Sequence, residues 1–101
     1  MLGPDSGPDL TAQRDRLVPV NVNRILERAR TSPASLRFGE ARGLAEALGF
    51  HLRRVSGSHH VFSCPGVPEL LNLQEVRGMA KPYQVRQLLR LAERYNLEIR
   101  G

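Results

Sequence analysis

Three short extended runs, closely spaced and bracketed by two helical patterns, leave this chain few architectures. Phe50 to Ser56 reads as the first run, Gly57-Ser58 as a turn, and His59 to Cys64 as the second run, ended by Pro65-Gly66. Val67-Pro68 leads into a third, Leu70-Leu71-Asn72-Leu73-Gln74. Glycine and proline at these breaks supply the backbone conformations that turns require. Before the runs, Phe38, Ala41, Ala45 and Leu48 recur at helical spacing, with Leu44 on the same side. Gly49 then stands where a left-handed residue ends a helix. Gly43, inside that helix, costs about 1 kcal/mol against alanine and suits close packing. After the runs and the break at Arg77-Gly78, Pro82 fits the first position of a helix with Val85, Leu88, Leu89 and Ala92 as its apolar stripe, extended by Tyr95. The order α-β-β-β-α predicts an α+β sandwich with both helices on one sheet face.

Upstream, Asn23 to Arg30 predicts a short additional helix. Asn23 is the expected cap, Ile25, Leu26 and Ala29 the apolar stripe, and Thr31-Ser32-Pro33 the stop. It falls below the ~12–15 residues that an isolated helix needs, so it must lean on something. Gly3-Pro4-Asp5, Gly7-Pro8-Asp9 and Pro19 mark residues 1–20 as a flexible tail. The expected organisation is therefore a tail (1–20), a short helical extension (21–35) and a compact domain (36–101). With 101 residues in all, the chain has one domain's worth of material and no room for a multidomain enzyme.

Charge narrows the partners. Fifteen basic residues against 10 acidic give +5 and a pI near 10.6, which suits an anionic partner such as nucleic acid or membrane headgroups. All the basic residues but Lys81 are arginine, whose guanidinium grips phosphate bidentately. Cys64 is the single cysteine, so no intrachain disulfide forms. No apolar run approaches a signal segment or a membrane span. The expectation is a soluble cytoplasmic protein without a membrane partner.

The chemistry concentrates in Gly57-Ser58-His59-His60-Val61-Phe62. Side chains alternate along a strand, so Phe62 and Cys64 share the face that meets the helices, and His60 shares their parity. His59, Val61 and Ser63 then point to the open face. An exposed imidazole titrates near neutrality and can both take and give a proton. Beside arginines, the fitting reaction is phosphodiester transfer in RNA, where the 2′-hydroxyl is the nucleophile and no metal is needed. The same residues also read as two surface or packing histidines beside a turn.

The run from Phe50 to Phe62 resembles the signature of the HicA toxins, small bacterial ribonucleases of type II toxin–antitoxin systems. The resemblance covers roughly residues 37–97, including Leu44-Ala45-Glu46-Ala47-Leu48-Gly49-Phe50. It implies a fold like a double-stranded-RNA-binding domain and a metal-independent endoribonuclease without cofactor. It also implies a catalytic histidine in the Gly-Ser-His element, which falls on His59, with His60 as second choice, and a turn at Gly57 and Ser58. A HicB-type antitoxin covering the active face is the implied protein partner, and RNA the substrate. Shorter family members carry a basic His/Lys segment before the last helix. Here Asn72 to Arg86 lacks it and resembles a longer subgroup.

Around that centre, Lys81 at the start of the last helix and Arg86, Arg90 and Arg94 along it form a basic ridge able to hold phosphates. It also reads as a solvated helix face. Arg53 and Arg54 differ in parity, and local twist decides which reaches the open face. His51 is a remote second imidazole. Cys64 and His60 stand ~13 Å apart on a regular strand, too far to share a metal, and no metal site is expected. Glu69 and Glu75 are too far apart for a carboxylate pair and read as solvated, while Tyr83 and Tyr95 read as core or interface aromatics. Two other functions stay open: a non-catalytic RNA-binding module of the same fold, and a protein-interaction domain whose ridge docks an acidic partner.

Overall fold

The computed structural model describes residues 21–100. They form helices α1 (Val22–Thr31), α2 (Phe38–Ala47) and α3 (Pro82–Arg94) and one antiparallel sheet, with a single 3-10 turn at Pro33–Ser35. Its strands β1 (His51–Ser56), β2 (His59–Cys64), β3 (Val67–Val76) and β4 (Met79–Ala80) lie side by side in chain order. The fold is α+β, as the sequence pattern predicts. The tail reading of residues 1–20 falls outside the described residues.

Three details depart from expectation. A fourth strand follows the Arg77-Gly78 turn, where Arg77 and Gly78 both adopt positive φ (53° and 81°). Such a two-residue turn matches strand twist, so the chain doubles back on β3 before entering α3. β3 starts at Val67 rather than Leu70, with Pro68 near its beginning, where a missing donor matters least. The cap of α1 is Asn21, not Asn23; its side chain accepts from the Arg24 amide at 3.2 Å.

One core joins the layers. Phe38, Ala41, Leu44, Ala45 and Leu48 of the α2 region and Val85, Leu88 and Leu91 of α3 pack against Phe62, Cys64, Leu71 and Leu73. Leu89 and Ala92, the other two positions of the expected stripe on α3, pack at its margin. Gly43 is buried too, and Gly49, at φ +105°, ends the helix region as anticipated. α1 contributes Ile25 and Ala29 to the same core, so the helical extension packs with the segment that follows it. Among the described residues no helix is long and apolar enough to cross a membrane.

Two polar ties hold parts that apolar contact alone would leave loose. Arg28 of α1 donates from Nη1 and Nη2 to the Glu40 carboxylate at 2.9 and 3.1 Å, and Nη2 also donates to the Ser35 carbonyl at 2.8 Å. Glu40 Oε1 further accepts from the Arg37 amide at 3.0 Å, covering a free donor at the start of α2. The second tie is Gln84, 3 % exposed, whose Oε1 accepts from the Gln74 amide at 2.6 Å. β4 is too short to reach Gln74, and this side chain satisfies the amide in place of a strand.

The Arg28 bond holds the Glu40 carboxyl below the usual carboxylate range; partial burial works against it and the Arg37 amide reinforces it. A depressed folded pKa contributes stability that is complete above the unfolded value of about 4.3 and is lost as pH falls through the folded value. Glu40→Gln should therefore melt below wild type at neutral pH, and the two melting temperatures should converge under acid. An unchanged gap down to the acid end of the titration would refute this role.

Candidate functional site

Strand β2 is central, so its period-two alternation sets both faces of the sheet. Phe62 is fully buried and Cys64 nearly so. His60, on their side, is half-buried, its ring 4.6 Å from that of Phe38 at 56°. Its Nδ1 stands 3.3 Å from the Ser58 carbonyl, a bond made by the tautomer protonated at Nδ1. His59 is exposed on the other face, immediately after the Gly57-Ser58 turn. Gly57 adopts φ +60°, a conformation a side chain would strain.

The neighbours of His59 follow from register. Ser56 of β1 and Gln74 of β3 stand opposite it, on either side. The pairing of β1 with β2 slips by one residue between Leu52 and Arg54, a β-bulge with Arg53 as the extra residue. This bulge answers the question that parity left open. Leu52 pairs with Phe62 and Val55 with His60, both on the helix side, while Arg54 pairs with Val61 on the open side. Arg54 and His59 are thus diagonal neighbours, about 7–8 Å apart at the backbone and within reach of a long side chain. Val61 is buried although it lies on the open face, outside the core cluster, flanked by Arg54 and Asn72.

The other candidate residues do not all converge here. Lys81 is the N-cap residue of α3, its ammonium 5.9 Å from the Tyr83 ring centroid; the Gln84 tie places this end of α3 beside Gln74, at the end of the sheet where His59 stands. Arg86 and Arg90 are exposed on α3, in the helix layer and not on the open face that carries His59. Arg90 and Arg94 lie at the other end of the helix, lining a cleft with Glu69. His51 pairs with Ser63, four residues along β2 from His59, or about 13 Å, beyond proton-sharing distance.

Glu69 is not simply solvated. The Tyr95 hydroxyl donates to its Oε1 at 2.7 Å and Arg94 lies 4.0 Å from Oε2. The Tyr95 bond lowers the Glu69 pKa and raises that of Tyr95. Both aromatic readings are refined as well: Tyr95 packs at the margin of the core, whereas Tyr83 is largely exposed. Among the described residues no three of His, Cys, Asp or Glu group as metal ligands would.

Sequence reasoning missed Gln74 and Arg77. Gln74 faces His59 across the ladder, and Arg77 sits in the turn at the same end of the sheet, since the Glu75 amide donates to the Ser58 carbonyl at 3.1 Å. Arg77-Gly78 carried a turn signal that would have placed Arg77, whereas the Gln74–His59 pairing belongs to the β2–β3 register and has no local signal. No family model, curated protein or solved structure matches this chain.

The two histidines should separate in stability. His60→Ala loses a ring contact with Phe38, which for aromatic pairs is worth about 0.5–1.5 kcal/mol beyond area burial. His59→Ala, at an exposed site, should stay within ~0.5 kcal/mol of wild type. Denaturant unfolding of both variants checks this; equal losses would overturn the assignment of faces.

Proposed function

We propose that this chain is a metal-independent endoribonuclease of HicA type, with a double-stranded-RNA-binding-domain-like arrangement of helices and sheet. The observation that carries the reading is the exposed His59 after the Gly57-Ser58 turn, with Arg54 diagonal to it on the same open face. His59 takes the proton from an RNA 2′-hydroxyl, and the 2′-oxygen attacks the adjacent phosphorus. The bond to the 5′-oxygen breaks, leaving a 2′,3′-cyclic phosphate, and the protonated ring or a water supplies the proton to the 5′-oxygen. Arg54 is the cation placed to meet charge developing on the phosphoryl oxygens, with Lys81 able to hold a flanking phosphate. Arg86 and Arg90 fall outside this step and at most bind RNA that wraps onto the helix layer. A HicB-type antitoxin, covering the open face in the cytoplasm, is the partner this reading implies.

One observation favours the RNA-binding module as a second reading. Among the described residues no hydrogen bond orients the His59 ring, whereas general bases are usually held by a neighbour. Binding without cleavage would need only the cations.

Purified chain should cleave single-stranded RNA in the presence of EDTA, with cyclic phosphate ends. His59→Ala should abolish cleavage while keeping the wild-type melting temperature, and Arg54→Ala should weaken it. RNA that is bound in a salt-sensitive way but left intact selects the second reading. Activity that EDTA removes and magnesium restores refutes the mechanism.

A further inference from the structure

Strand β1 ends the sheet, and no described residue pairs with its outer side. All six of its residues are exposed, and none belongs to the core cluster, which draws on β2, β3 and β4. The bulge at Arg53 turns Leu52 and Val55 to the helix side, beside the buried Phe62 and the half-buried His60, yet they remain 40 % and 52 % exposed. β1 thus offers an open row of backbone donors and acceptors together with an apolar ledge that continues the core.

Edges that exist only to be protected are short, carry proline, or point charges inward. β1 has six residues, no proline, and apolar side chains inward. Its charged residues are Arg53 and Arg54, without an acidic residue. Because the arginines sit at the centre of the strand, a two-fold pairing of β1 with a second copy would set arginine against arginine, which is destabilising. An acidic strand meets the same centre favourably.

From these features we infer that the free edge of β1 docks an extended segment of a partner protein in which acidic and apolar residues alternate, adding it to the sheet as a fifth strand. Backbone bonds hold the segment, its carboxylates face Arg53 and Arg54, and its apolar residues cover Leu52 and Val55. The inference does not depend on nuclease chemistry: it concerns strand pairing at the free edge of β1, and Arg54 is the one residue it shares with the open face at His59.

The test titrates the full-length, isotope-labelled chain with a short synthetic peptide alternating glutamate and valine. Amide shifts should localise to residues 51–56, with slowed hydrogen exchange there and shifts of the Leu52 and Val55 methyl groups. Val55→Asp should weaken binding by up to about fivefold, the scale of one unfavourable cross-strand contact. A second variant, Arg53→Glu, should do likewise; both sites are exposed, and the remaining spectrum verifies folding. The inference is overturned if a lysine–valine peptide binds equally well, or if the shifts fall outside β1. It is also overturned if the outward-pointing β1 amides, those not bonded to β2, are already protected in the free chain, whether by a second copy or by its own N-terminal residues. Binding is read without RNA, so the outcome is separate from that of the cleavage assay.

Discussion

Burial of Phe62 in the central strand is the constraint from which the rest of the site follows. Side chains alternate with a period of two, so once Phe62 and Cys64 are under the helices, His60 must share their side and His59 must oppose it. A slip of one residue would expose Phe62, at a cost of roughly 1.5–3 kcal/mol for that side chain alone. The packing of two helices therefore decides which imidazole meets solvent, although neither helix touches the open face.

The bulge in β1 acts on this frame in two ways. By spending one residue it puts Leu52 and Val55, three apart in sequence, on the same side, and sends Arg54 to the other. On the open face this creates the His59–Arg54 diagonal. On the helix side it creates an apolar ledge that no core residue covers. One backbone irregularity thus shapes both surfaces on which function is proposed.

Polar ties extend the frame where apolar area runs short. Arg28 and Glu40 join α1 to the start of α2, and Gln84 joins α3 to β3 beyond the reach of β4. The Gln84 tie is also what brings Lys81 to the His59 end of the sheet. The Tyr95–Glu69–Arg94 cluster marks the opposite end, which is why a ridge regular in sequence does not serve one site.

Local pattern alone determined the order of helices and strands, the Gly57-Ser58 turn, the end of a helix at Gly49, the start of α3 at Pro82, and the parity that separates His59 from His60. Each of these rests on neighbours a few residues apart, whose periodicity and backbone preferences are written in the chain. The pairing of Gln74 with His59, the side chosen by Arg54, the fourth strand and the divergence of Lys81 from Arg90 came only with tertiary structure. A bulge has no residue signature at Arg53, because the extra residue is defined by what lies across from it in β2. Gln84 likewise looks like any polar helix residue until Gln74 needs a partner for its amide. These features belong to pairs of residues distant in sequence, and packing, not local preference, chooses the pairs.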